Sequence, residues 1–370
     1  MIKRIIIIAV NALCLIAFIV CISVSASIRN PLRTQQAASA WGGQSGERFA
    51  QLSVFFPETV DFDEDSIRHV HASIDKSLLD ASLESIPGRN LYTDAWSGEG
   101  IVTVAGTRGA PFSAKAIGVG GDFFLFHPLF LRDGSYLSPT DVMRDRVVLD
   151  EELAWRLFGS VRVAGFEILI ENRPFIIAGV ASRESDFASS VAYDDGAGLF
   201  MSFEAFSILF EDDARISSYE IVMPDPVTGF ALNSLTEAIS GPGIYIVENS
   251  ARFTLENTFA AIGSFGERSM KTDAIVFPYW ENAARYAEDW LALLLVLSLV
   301  FIVFPVVCGI IYLVILIRFL IKHGKDIVSY LIKRHDKRAY EKYVLEHGYD
   351  EPGSDNYDVD DIINEVRNGN

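Results

Sequence analysis

Two apolar segments bracket one large acidic stretch, and nothing else in this chain limits its possible folds so strongly. The first runs from Ile5 to about Ile22 and the second from Leu291 to about Leu320; neither contains a charged residue before Arg318. About eighteen or more largely apolar residues suit a bilayer core about 30 Å thick. The chain therefore reads as two membrane anchors, 1–27 and 290–321, holding residues 28–289 between them on one side.

The flanks give the side. Lys3 and Arg4 precede the first segment, and Arg318, Lys322, His323 and Lys325 follow the second, which Glu288 and Asp289 precede. The positive-inside bias places both termini in the cytoplasm and residues 28–289 outside the cell membrane. Arg29 and Arg33 blur that signal at the first anchor. A cleaved signal peptide is the rival reading of residues 1–26, with Ser25-Ala26 as the junction. The length of the apolar stretch and the lack of a clean A-x-A site favour a retained helix.

Residues 28–289 hold 20 Lys and Arg against 38 Asp and Glu, a net of −18 that equals the charge of the whole chain. Such a field repels nucleic acid and argues against nucleic-acid work. Residues 322–345 read as a basic juxtamembrane helix, and 346–370 as an acidic, solvated tail. Cys14, Cys21 and Cys308 all fall within the apolar segments. The exterior domain therefore has no disulfide and no thiolate metal site.

Periodicity predicts a strand over 49–56, and a helix from Asp63 to Leu83 with Ile67, Val70, Ile74, Leu78 and Leu79 at three- and four-residue spacing. Short strands are expected at 101–104, 115–119 and 147–149. Asp150 should start a helix that Gly159 closes. Phe166–Ile170 and Pro174–Val180 read as a hairpin across Glu171-Asn172-Arg173. Further on come a helix at 204–210, a strand at 218–223, a helix at 229–238, a strand at 244–247, and a polar helix or loop to Lys271. Alternation without long apolar strands argues for α+β rather than a doubly wound sheet.

Chemistry-bearing constellations are sparse. His69 and His71 are two apart on a helix, which points them to different faces and suits no shared metal. His127 reads as a turn residue in Phe-His-Pro-Leu-Phe. Asp61, Asp63, Glu64 and Asp65 read as a solvated helix start, and Asp186, Asp194 and Asp195 as a plain loop. Gly118-Val-Gly-Gly-Asp lacks the dinucleotide fingerprint, and neither a phosphate loop nor a G-x-S-x-G elbow occurs. The expectation is a non-enzyme without cofactor, whose ATP, if any is used, is bound by a separate subunit.

Val147-Val-Leu-Asp-Glu-Glu-Leu-Ala-Trp-Arg-Leu-Phe-Gly159 then carries a resemblance. With the hairpin that ends in Phe175-Ile-Ile-Ala-Gly-Val180, it resembles the exterior core domain of MacB-type permeases in the FtsX-like group of ABC transporter components. Gln35-Gln-Ala-Ala-Ser-Ala-Trp41 and Phe277-Pro-Tyr-Trp-Glu-Asn-Ala-Ala-Arg285 look like a Gram-positive branch. The resemblance implies a two-lobed, mixed α/β extracytoplasmic domain, a separate ABC ATPase and homologous permease subunits. A complete permease of that kind has one membrane helix before the domain and three after it, where this chain shows one. The expected function is thus a non-catalytic accessory or permease-like subunit of an export or mechanotransmission complex. The alternative is a cell-surface structural or sensory protein.

The expected partner contacts are loop aromatics, Phe123, Phe124, Phe126 and Tyr193, since aromatics anchor interfaces. Trp280 and Trp290 suit the membrane interface of the lipid bilayer. Asn11 and Pro305 are the candidates for association and kinking within the membrane.

Overall fold

The computed structural model describes residues 2–43, 46–83, 90–106, 111–138, 141–193, 198–264 and 276–347. Phe18–Ser298 form one compact unit, and Met1–Ala17 with Leu299–Asn370 form another. Helix α1 spans Ile2–Arg29, and a short α2 (Ala37–Gly42) leads to β1 (Phe49–Phe55). Helix α3 (Glu64–Asp80) starts where Asp63 accepts the Ser66 amide at 2.8 Å, and it buries Ile67, Val70, Ile74 and Leu78 of the expected apolar set but leaves Leu79 exposed, one position round from the buried face.

Strands β2 (Thr93–Ala105) and β3 (Phe112–Gly121) form one long hairpin, longer than the expected pieces at 101–104 and 115–119. Gly98, Gly100, Gly118 and Gly120 hid the remainder, because glycine weakens a strand's pattern. Helix α4 (Phe123–Phe126) and β4 (Phe130–Gly134) follow. Strand β5 (Arg146–Asp150) runs into α5 (Glu151–Phe158), which Asp150 caps and Gly159 ends in the left-handed region at φ 66°. Strands β6 (Glu167–Ile170) and β7 (Arg173–Ser182) turn on Glu171 and Asn172, at φ 47° and 62°. Two positive φ values in succession suit the right-handed twist of a hairpin.

The remaining elements are α6 (Ser189–Ala192), β8 (Gly198–Ser202), α7 (Phe203–Phe210), β9 (Ser218–Pro224), α8 (Phe230–Ala238), β10 (Tyr245–Glu248), α9 (Leu255–Gly263) and α10 (Tyr279–His347). Helix α10 is unbroken from the domain through the apolar segment and the basic stretch beyond it. Asp194, Asp195 and the tail from 348 lie outside the described residues.

The strands form one mixed sheet ordered β10-β1-β9-β2-β3-β8-β5-β7-β4, with β6 joined to both β2 and β7. Those two pairings close a circuit through β2, β3, β8, β5, β7 and β6. The sheet is mixed because β3 with β8 and β5 with β7 run parallel, while the other pairs are antiparallel. At one end of this sheet lie β10, β1 and β9 with α3 and α8, at the other the closed circuit with α5 and α7, and one core runs under both.

Both faces are covered. One core takes Leu52 and Val54, Val147 and Leu149, and Leu199 and Met201, together with the inner faces of α3, α5, α7 and α8. The alternate residues Phe49, Val148 and Phe200 face a second core with α2, α4 and the first turn of α10. This is the period of two that a strand imposes. All of β1 is buried as a result.

The glycine run at 118–121 is a packing device. A Cβ at Gly118 would lie 2.5 Å from the Cβ of Phe206, so α7 rests directly on β3 there. Gly118→Ala is expected to cost roughly 1–3 kcal/mol through overpacking, seen as a lower unfolding midpoint in detergent with the secondary structure unchanged.

Candidate functional site

A sheet covered on both faces must satisfy its polar side chains internally, because burying one unpaired is costly. Gln51 and Ser53 alternate with Leu52 and Val54, so they face the second core. The Gln51 carboxamide accepts the Ala37 amide at 2.9 Å and donates to the Thr34 carbonyl at 2.7 Å. One central strand thereby holds the segment that leaves α1.

Ser53 donates to Glu220 Oε1 at 2.7 Å and accepts from Asn249 Nδ2 at 2.6 Å. The other Glu220 oxygen is joined to His127 Nε2. The His127 ring lies 4.2 Å from that of Trp280 and 4.4 Å from that of Phe123. All four polar residues are buried. They form a seam from the end of β10 to the first turn of α10. Serine, histidine and a carboxylate are the parts of a hydrolytic triad, but in a triad the histidine stands between the other two. Here the carboxylate does, and the histidine does not reach the serine.

Arg252 makes the second joint. Its buried guanidinium donates to Glu281 at 2.5 Å, Glu288 at 2.9 Å and Gln35 at 3.1 Å. Glu281 and Glu288 lie on the first turns of α10, and Gln35 lies six residues past α1. Ile28 and Leu32 pack beside them with Ala188, Ala283, Ala287 and Leu291. Arg285 sits over the Phe277 ring at 4.2 Å, and Asn282 donates to the Phe277 carbonyl at 2.9 Å. The roots of both apolar helices are thus fixed to each other and to the sheet.

A third group lies beside α10. Tyr193 stacks on Tyr279 with ring centroids 4.3 Å apart, and its hydroxyl donates to Glu184. Burial pushes the Glu184 carboxyl above its ordinary value, and the Tyr193 hydrogen bond opposes this. A cavity of about 240 Å³ opens next to the tyrosines, edged by Asp150 and Arg183. Arg183 donates to Asp150 at 2.7 Å and 3.1 Å, and the same carboxylate accepts the Gly198 amide at 2.6 Å. Burial raises the Asp150 pKa despite these contacts.

The expected site residues fare unequally. Phe123 and Phe126 are buried in the second core, so they offer no surface to a partner; the α4 turn folds them under β2 and β3. Phe124 is half-buried on Tyr136, with ring centroids 4.5 Å apart, and Tyr193 is held as described. Trp280 is core rather than interfacial, whereas Trp290 is exposed, with its ring 5.6 Å from Phe187. Asn11 donates to the Ile7 carbonyl of its own helix at 2.9 Å. α10 stays helical through Pro305. His127 does occupy the turn after α4, but with its side chain in the core. His71 faces Asp94 at 2.5 Å, which raises its pKa. Among the described residues no three His, Cys, Asp or Glu side chains gather so as to hold a metal ion. Arg252 and Glu220 were missed, because a lone charge in sequence does not announce a distant partner.

A mixed α/β domain is thus rooted on two helices, Ile2–Arg29 and Tyr279–His323, each long and apolar enough to cross a membrane. The family model of the MacB-like periplasmic core domain matches residues 6–239, and the chain belongs to that family. This makes it a membrane-transporter-associated component of the ABC permease class. The periplasmic region of MacB from Actinobacillus actinomycetemcomitans is similar at 20% identity, covering 57% of this chain and 92% of that one, with a TM-score of 0.39. The extracellular domain of the noncanonic ABC-type transporter YknZ from Gram-positive bacteria is 12% identical over 54% of this chain and 100% of its own, with a TM-score of 0.37. A domain of a putative permease protein from Porphyromonas gingivalis is 16% identical over 58% and 96%, with a TM-score of 0.34. No curated protein matches the chain.

Two outcomes follow from the joints. Arg252→Ala leaves the buried Glu281 with only Arg285, 3.9 Å away, and is expected to cost roughly 3 kcal/mol, much of it recovered in the double variant Arg252→Met, Glu281→Gln; unfolding in detergent measures both. The raised Glu184 pKa means the folded state holds that proton more tightly than the unfolded one. The ionised carboxylate therefore costs stability above the folded pKa, and the cost fades as pH falls to the unfolded value. Glu184→Gln is expected to gain stability relative to the parent at pH 8 and to lose that advantage toward pH 4, read from melting midpoints across pH.

Proposed function

We propose that this chain is a non-catalytic, permease-like subunit of an ABC-type export or mechanotransmission complex. Both termini lie in the cytoplasm, where a separate ATPase subunit acts, and residues 28–289 work outside against a partner or substrate. The observation that carries this reading is the double joint at the domain base. Arg252 and the seam from Asn249 to His127 tie both anchor roots to the sheet, so movement of either helix reaches the domain without slack. Membership in a family of transporter-permease domains supplies the context. The buried serine, carboxylate and histidine, in the wrong order for a triad, favour a mechanical over a chemical role.

Cross-linking in native membranes, gentle solubilisation and mass spectrometry of the captured proteins test this. Recovery of an ATPase together with homologous permease subunits is expected. Recovery of the chain alone, or only with envelope proteins, would overturn it in favour of a surface scaffold or sensor.

A further inference from the structure

Helix α9 carries Leu255, Phe259 and Ile262 at i, i+4 and i+7, which is one face of a helix. That face is not turned into the core. Leu255 is 69% exposed and Phe259 49%. Ile262 lines a mainly apolar groove of about 560 Å³ with Trp290, Leu293 and Val296 at the start of the α10 apolar segment, and Tyr286 and Asp289 line its end toward the domain. The α6 region presents a second set beside the same turns. Phe187 is 46% and Val191 58% exposed, and the Phe187 ring lies 5.4 Å from Tyr286 and 5.6 Å from Trp290. Two elements far apart in sequence therefore set large bare apolar side chains where the apolar helix begins.

We propose that α9 and the α6 region dip into the lipid leaflet on the domain's side, with acyl chains covering Leu255, Phe259, Phe187 and Val191 and filling the groove at Ile262. The occupant follows from continuity. Leu293 and Val296, which form one wall of the groove, belong to the segment that runs on to Leu320 without a charge before Arg318. A protein-lined cap would need to end where that segment meets lipid, whereas acyl chains cover both without a seam. Interfacial helices commonly add Lys and Arg for headgroup attraction. α9 has none, and Glu256 is its one charge. Its contact is therefore apolar and insensitive to salt.

This inference rests on residues 291–320 spanning the bilayer, and one experiment separates the two. The full-length chain is placed in phosphatidylcholine vesicles containing a phosphatidylcholine with a photoactivatable diazirine in its acyl chain, and adducts are mapped by mass spectrometry. Label on Leu255, Phe259, Phe187 and Val191 is expected at roughly five times or more the level on Trp155 and Val142, comparably exposed apolar residues on other parts of the domain, at low and high salt alike. Phe259→Asp, a surface change, is expected to erase the α9 adducts and leave those in 291–320. Label confined to 291–320 would overturn the proposal while upholding the span. Absence of label from 291–320 as well would overturn the span itself. In native membranes, cross-links from α9 to a second protein in place of lipid adducts would reassign the face as a subunit interface.

Discussion

Arg252 decides how the base of the domain is built. A buried guanidinium keeps its charge and must find acceptors in the directions its planar fork dictates. Glu281 and Glu288 meet it from one side of α10, and Gln35 from the segment behind α1. Small residues make the meeting close, since Ala283 and Ala287 let Ile28 and Leu32 approach the helix. Neither root can slide past the other without drawing a charge away from its partner in a dry site. Buried pairs of this kind are poor sources of net stability but resist being half broken.

The seam on the other side of the base obeys the same rule, with the Glu220 carboxylate at its centre. Ser53 could have been valine on packing grounds alone, as Val54 is on the opposite face. As serine it bridges Asn249 to Glu220, and Glu220 reaches His127 under Trp280. Hydrogen bonds in low dielectric are strong when complete and costly when broken. The seam is completed only in part, since His127 Nδ1, Asn249 Oδ1 and Trp280 Nε1 are buried without a hydrogen-bond partner among the described residues, and ring packing of His127 on Trp280 carries it to α10. These side chains hold the elements that carry them in register.

Much of this was legible before any coordinates. The anchors announced themselves by length, α3 by its apolar spacing, α5 by Asp150 and Gly159, and the β6–β7 turn by Glu171-Asn172. These are local signals, set within one element. The long β2–β3 hairpin was half hidden by its glycines, which exist to let Phe206 and Trp96 lie against the strands. Phe123 and Phe126 looked like loop anchors because their burial depends on β2 and β3 folding over them. Glu220 and Arg252 were invisible for the same reason: their partners lie in other elements, and no spacing rule connects them. The stretch to Lys271 reads as a polar helix or loop, and only the structure gathers Leu255 and Phe259 on one bare face of α9.

The place of β1 has a consequence for how the chain reaches this state. It lies between β10 and β9, and Phe49 pairs with Pro224 while Phe55 pairs with Ser218. Those partners leave the ribosome roughly 170 residues later, and such distant pairing is slow to form. At about 5–20 residues per second, the strand waits on the order of ten seconds or more with neither neighbour made. Throughout that interval Phe-Ala-Gln-Leu-Ser-Val-Phe lies open on both edges, a run of high β-propensity without a charge or a proline. Biogenesis, more than the finished fold, is where this chain is exposed to mispairing.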